Sequence, residues 1–276
     1  MLTKTPGFAA IAVLTLALGI GANTAIFSVI DRVLLRALPF ANPHELIAVW
    51  SKVEHEADRE TNSFPDYADM RDQSRTIDSL AAYTEASSVL GSGAESRELR
   101  GLAITSDIFR VLATQPFLGR SFTRAEDTED ARVVVLTYEA WQRYFNSDSK
   151  IIGRDILLSL RPYTVLGVMP PNFRYPVGSS HDYLMPLHPL VSNEIRSRGG
   201  HFLRCVGRLK PGFSVQQASA EVRAIGARLE KQFPDTNTGR SQSAISLHDD
   251  LVGDVRPALL TVLAAVVVVL LIACAN

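Results

Sequence analysis

Cysteine is nearly absent: Cys205 and Cys274 are the only two in 276 residues. That excludes a disulfide-stapled scaffold and any cysteine-based zinc spacing. Cys205 falls in a strand pattern and Cys274 in an apolar run, so the two do not bridge, and Cys205 reads as a small buried hydrophobe. An excess of one charge is also missing, since 28 Lys+Arg face 29 Asp+Glu for a formal net charge of −1. This balance excludes a polybasic nucleic-acid binder, and 46% hydrophobic residues exclude a disordered or collagenous chain. Catalytic and nucleotide motifs are lacking as well. There is no G-x-x-x-x-G-K-[ST], no H-E-x-x-H and no G-x-S-x-G. Gly19-x-Gly21 lies inside an apolar run rather than after a soluble strand. Six histidines are scattered: His44, His55, His181, His188, His201 and His248. The nearest approach to a metal cluster is His181-Asp182 with His188; the nearest to a nucleophile and base is Ser179-Ser180 beside His181. Both read as solvated loop residues, and Glu126-Asp127 and Asp249-Asp250 as exposed turn charges. No cofactor, metal or catalytic residue is expected.

Charge is missing in a more telling way at the two ends. Residues 5–30 contain no charged side chain, and neither do residues 257–276. Removing Lys4 leaves 27 basic and 29 acidic residues in 31–256, net −2, the balance of an ordinary soluble domain. A bilayer core about 30 Å thick needs about 20 apolar residues in a helix. Residues 8–30 meet that length, and they exceed the apolar stretch of a signal peptide, so a retained transmembrane helix is expected there. Along it Ala9, Val13, Ala17, Gly21 and Ala25 recur every fourth residue. The small positions Ala17, Gly21 and Ala25 are candidate helix-packing residues, because small side chains let two membrane helices approach closely. Residues 257–276 (PALLTVLAAVVVVLLIACAN) read as a second transmembrane helix in which the chain stops, as in the front part of a longer protein. Lys4 before the first helix against Arg32 and Arg36 after it leaves the orientation open, since long domains translocate largely regardless of charge.

Between the ends, the pattern mixes strands and helices irregularly, which is the α+β class. Pro39-Phe40-Ala41-Asn42-Pro43 ends the exit from the first helix, and residues 45–53 (ELIAVWSKV) read as a strand. Ser63-Phe64-Pro65 opens a helix, with a second amphipathic turn expected near 77–83. Residues 98–104 alternate as a strand, and Thr105 or Ser106 is expected to cap a helix over 108–113. Val133 to Leu136 is a buried strand, after which Thr137 caps a helix carrying Trp141, Tyr144 and Phe145. Strands are expected at 155–160 and 163–169, joined at Arg161-Pro162, followed by a long loop over 172–200. A strand at 201–210 turns at Pro211-Gly212. Ser214-Val215-Gln216-Gln217 is a capping box, and Val215, Ala218, Val222, Ile225 and Leu229 then keep helical spacing for four turns. A last strand is expected at 243–247.

The string Thr5-Pro6-Gly7-Phe8 onward through Phe27 (TPGFAAIAVLTLALGIGANTAIF) resembles the first membrane helix of MacB/FtsX-type ABC transporter permeases, in particular the duplicated orphan permease subgroup. The resemblance continues in order through Phe64-Pro65-Asp66-Tyr67, Gly119-Arg120-Ser121-Phe122, Ile152-Gly153-Arg154, Val168-Met169-Pro170-Pro171-Asn172-Phe173, Gly207-Arg208-Leu209-Lys210-Pro211-Gly212 and Leu270-Leu271-Ile272-Ala273-Cys274-Ala275-Asn276. It implies a short cytoplasmic N-terminus (1–7), transmembrane helix 1 (8–30), a MacB-like periplasmic core domain (31–256) and transmembrane helix 2 (257–276), truncated here. By the same resemblance the domain divides into a porter-like lobe at 45–119 and 201–248 and an inserted lobe at 120–200. The chain is then expected in a bacterial inner membrane with 31–256 extracytoplasmic. Its expected partners are the membrane, an ABC ATPase subunit in trans and a second permease unit, with no nucleic acid. The substrate is not legible. The rival reading is a stand-alone membrane-anchored binding or scaffold module. A segment that normally follows, the FtsX-like region contacting the ATPase, is not in this sequence.

Overall fold

The β-branched Ile47, Val49 and Val53, with Trp50, favour an extended chain in the first strand, β1 (Leu46–Val53), whose leading four residues are buried. The computed structural model describes residues 38–53, 59–93, 96–128, 131–187, 197–253 and 255–275, with positions 7, 17, 20, 21, 23–28 and 30 of the amino-terminal segment. It separates into two compact units: residues 39–247, and residues 1–38 with 248–276.

In the larger unit, β1 is followed by β2 (Asn62–Ser63), the helix Phe64–Gln73, β3 (Ile77–Leu90) and β4 (Arg97–Ile104). Then come the short helix Ile108–Val111, β5 (Leu118–Gly119), the helix Arg124–Thr128, β6 (Val133–Leu136) and the helix Tyr138–Phe145. Strands β7 (Asp155–Leu158), β8 (Arg161–Val168), β9 (Tyr183–Pro186) and β10 (His201–Leu209) precede the long helix Val215–Gln232 and β11 (Arg240–Ser246). The strands join one sheet in the order β11-β1-β10-β3-β4-β9-β6-β8-β5.

Its first four positions have a simple logic. β1 and β3 are both antiparallel to β10, and β10 and β11 both flank β1 antiparallel. The helix Phe64–Gln73 therefore carries the chain from β1 to β3 across β10, and Val215–Gln232 carries it from β10 to β11 across β1. Two interleaved split β-α-β units result, the ferredoxin-like pattern, with the two helices packed beside each other. The apolar stripe Ala218, Val222, Ile225 and Leu229 is buried, and both halves of the Ser214–Gln217 capping box form. Strands from 120–200 attach chiefly through β4, which pairs in parallel with β9, and also where Leu158 of β7 faces Leu90 of β3; β6 continues from β9, and β8 from β6. β5 pairs with β8, so Leu118 and Gly119 lie with these strands.

Several local expectations change. Residues 77–83, read as a helical turn, begin the 14-residue strand β3. The run Leu80-Ala81-Ala82-Tyr83 is buried throughout and pairs with β10 along its length, with β4 joining from Tyr83, so it shows no period-2 signal. Arg161-Pro162 is strand rather than turn: Pro162 faces Leu157. The turn falls on Ser159 and Leu160, with φ of 49° and 64°, the twist a two-residue hairpin requires. The stretch 172–200 includes a strand, the fully buried β9. Thr105 does not cap its helix; its hydroxyl accepts from the Ala82 amide at 3.0 Å and the Tyr67 hydroxyl at 3.3 Å.

In the smaller unit, positions 17, 21 and 25 are helical and exposed. Thr24 and Ser28 donate to the carbonyls of Ile20 and Thr24 at 2.8 and 2.7 Å, which satisfies their hydroxyls within the helix. The carboxy-terminal helix is Arg256–Ala275, and it exposes Val268, Val269, Leu271 and Ile272. Its uncharged stretch, residues 257–275, rises about 28 Å at 1.5 Å per residue. Among the described residues no helix is long and apolar enough to cross a membrane. Most of the expected first helix (8–30), residues 1–6 and residues 31–37 lie outside the described residues.

Candidate functional site

The domain's two connections leave it side by side. Ile47, near the start of β1, faces Ser246 at the end of β11, so the inbound and outbound chains sit at one end of the sheet. Arg208 locks the inbound side. From β10 its Nε donates to Val111 O at 2.8 Å, its Nη2 to Ala41 O at 2.8 Å, and its Nη1 to Glu45 Oε2 at 2.8 Å. A longer bond reaches Asn42 O at 3.4 Å. The planar guanidinium fork serves several acceptors in fixed geometry, which an ammonium does not. Ala41 and Asn42 just before β1, the end of the helix Ile108–Val111 and the centre of the sheet are thus one rigid joint.

A second joint holds the helix pair. Glu221, on Val215–Gln232, accepts from the Ser74 and Thr76 hydroxyls, both at 2.6 Å, and from the Arg75 and Thr76 amides at 2.8 and 2.9 Å. Burial alone raises a carboxyl, but these four donors overcome it and hold Glu221 down at about 2.

Asp66 of the Phe64-Pro65-Asp66-Tyr67 motif is a third. It is fully buried in the first turn of its helix, where Ser63 is the N-cap. Its Oδ1 accepts from Arg198 at 2.6 Å and from Asn237 at 3.1 Å. Arg198 also reaches Asp69 at 2.5 Å and stacks over the Phe233 ring at 3.8 Å. Tyr67 donates to Leu80 O and Thr105 Oγ1 within the core.

One open polar cleft of about 710 Å³ lies over β3 and β4, lined by Glu85, Ser87, Glu98, Arg100, Ser179 and His181. Ser179 and His181, the nucleophile-and-base candidates, do meet: Ser179 Oγ is 3.3 Å from His181 Nδ1, and Nε2 is 2.7 Å from Glu85. Ser179 gives its proton to Pro176 O at 2.5 Å instead of the ring, which is the bond of a turn. His188 lies outside the described residues, and among the described residues no three His, Cys, Asp or Glu side chains converge for a metal. Burial pushes the Cys205 thiol far up, so it is inert, as its place in a strand suggests. Sequence reasoning passed over Arg208, Glu221 and Arg198, because each finds its hydrogen-bond partners far away in sequence.

The model of the MacB-like periplasmic core domain matches residues 9–225. The chain belongs to that family. Within it, a curated relative is the macrolide export ATP-binding/permease protein MacB of Chromobacterium violaceum, 32% identical over 131 residues. That stretch is 48% of this chain and 19% of the relative, so the chain spans only a small part of the relative's length. The fold is shared with the periplasmic region of MacB from Actinobacillus actinomycetemcomitans, at a TM-score of 0.57 and 16% identity, covering 77% of this chain and 92% of that one. It is shared also with the extracellular domain of the noncanonic ABC-type transporter YknZ from Gram-positive bacteria, at a TM-score of 0.53 and 14% identity, covering 71% and 98%. The MacB-like domain is thus a mixed α/β domain with the ferredoxin-like core described above.

Proposed function

We propose that this chain is the amino-terminal part of a permease subunit in a MacB-like ABC transport system. Its domain stands outside the cytoplasmic membrane, carried by the apolar segments 8–30 and 257–276. It passes motion driven by a partner ATPase to an export substrate or an envelope partner. The work is mechanical, so no residue is assigned to catalysis. The observation that carries this reading is the pairing of Ile47 with Ser246, which brings both connections out together beneath a sheet locked by Arg208. A displacement of the flanking helices then acts on two adjacent strands, not on two remote ends.

Two measurements test it. A cysteine placed at the exposed Ser92 should react with a membrane-impermeant maleimide in intact cells, with buried Cys205 silent. Co-expression with an ABC ATPase of the source genome should yield a co-purifying complex. Protection of Ser92→Cys until the cells are lysed would refute the outward placement, and the absence of any complex would refute coupling. The polar cleft over β3 and β4 favours a second reading, a membrane-anchored binding or scaffold module without an ATPase. That module would label from outside yet bring down no ATPase.

A further inference from the structure

Two histidines share one arrangement. His181 Nδ1 faces Tyr175 O at 3.2 Å, and its Nε2 faces Glu85 Oε2 on β3 at 2.7 Å. His201 Nδ1 faces Gly199 O at 3.2 Å, and its Nε2 points to Asp66 Oδ2 at 3.9 Å. In each ring one nitrogen meets a carbonyl of the nearby connecting chain and the other a carboxylate of the ferredoxin-like half. All four partners are acceptors.

A neutral imidazole has one N–H and one lone pair, so it cannot serve two acceptors. For His181, Ser179 does not resolve the conflict, since its hydroxyl proton is given to Pro176 O. For His201 the conflict is visible: Nε2 and Asp66 Oδ2 are both buried and both lack a hydrogen-bond partner. A lone pair opposed to a carboxylate in a buried site is costly. A second ring proton converts each opposition into a charge-assisted contact.

The surrounding charges agree. Facing His201 are Asp66 and Asp69 from the helix Phe64–Gln73 and Arg198 from the chain before β10. Two carboxylates against one guanidinium leave one negative charge, which an imidazolium neutralises. Facing His181 is Glu85 from β3; Glu98 and Arg100 from β4 line the same cleft and offset each other, and the adjacent Asp182 is occupied by the Arg100 amide at 3.0 Å.

We infer that His181 and His201 form a paired proton-operated lock. Each ring, when it carries both protons, bridges a carbonyl of the chain between β8 and β10 (Tyr175 O for His181, Gly199 O for His201) to a carboxylate of the ferredoxin-like half. Histidine is the side chain whose ordinary charge change, near about 6.5, lies in the range an envelope domain meets. A contact that only the doubly protonated ring can make is present on the acid side and absent on the alkaline side. The lock is therefore closed in acid and released in alkali.

The test is amide hydrogen exchange on the full chain in detergent micelles at pH 5.5 and pH 8, corrected for intrinsic exchange rates. Peptides covering 173–182 and 197–201 should lose about tenfold in protection at pH 8, the scale of one charge-assisted hydrogen bond. The rest of the sheet should change little. His181→Gln should abolish the contrast in the first peptide only, and His201→Gln in the second only. Glu85→Gln, a gentler change at an exposed residue, should reproduce the His181→Gln result while the fold is retained. Equal corrected protection at both pH values in the unmodified chain overturns the lock, as does a contrast that survives in the variants.

Discussion

Arg208 shows how much one side chain does here. Its guanidinium reaches Val111, Ala41, Asn42 and Glu45, and it is only 9% exposed. Removing one partner of a buried, hydrogen-bonded pair strands the other. Arg208→Ala should therefore cost about 3 kcal/mol in urea unfolding. Arg208→Lys should recover less than half of that, because an ammonium cannot span the same acceptors. A loss below about 1 kcal/mol for the alanine variant would mean that the joint is not tight. Glu221 makes a prediction in pH. Its folded carboxyl is held at about 2, below the ordinary glutamate value. A carboxyl depressed by folding stabilises above its unfolded value and loses that contribution as pH falls toward the folded one. Thermal midpoints should thus fall between pH 5 and pH 2, and Glu221→Gln should flatten part of that fall while costing about 2 kcal/mol at pH 7. The Asp66 motif was visible as a string, but its fully buried carboxylate was not, since Arg198 and Asn237 come from far along the chain.

Among the elements, β4 carries the main junction between the sheet's two halves, beside the single pair Leu90–Leu158 from β3 to β7. On β4, Gly101 sits opposite Tyr183 of β9, whose ring fills the space a side chain would take. A Cβ there would lie 2.1 Å from Tyr183 Cζ. Tyr183 is fully buried and donates to Ser88 Oγ at 2.8 Å, so it cannot step aside cheaply. Gly101→Ala should destabilise by about 3 kcal/mol, at the upper end of overpacking costs. Differential scanning calorimetry would show it as a lowered midpoint, or as separate melting of the strands beyond β4. Elements with their own local signals were legible. The capping box, the apolar stripe of Val215–Gln232 and the Thr137 cap, bonded from Ala140 N at 3.3 Å, form as the pattern indicates. The first half of β3 and all of β9 were not, because burial on both faces erases the alternation by which a strand is recognised.

At the scale of the whole molecule, the apolar ends matter as much as the domain. Ala17, Gly21 and Ala25 are helical, and a side chain added at Gly21 would meet nothing within 4 Å. If that face packs against a second permease unit, Gly21→Leu should weaken assembly about tenfold, measured by analytical ultracentrifugation in detergent. Unchanged assembly would remove the packing role.

Composition and pattern alone determined the soluble middle, the apolar ends, the α+β class and the family likeness. Each rests on local physics: charge counts, hydrophobic runs, caps and turns. The order of the strands, the shared exit of both connections and the partners of Arg208, Glu221, Asp66, His181 and His201 were decided only in three dimensions. Hydrogen-bond acceptors are mostly backbone carbonyls, which every residue carries, so a sequence does not mark which of them a buried arginine or histidine will find.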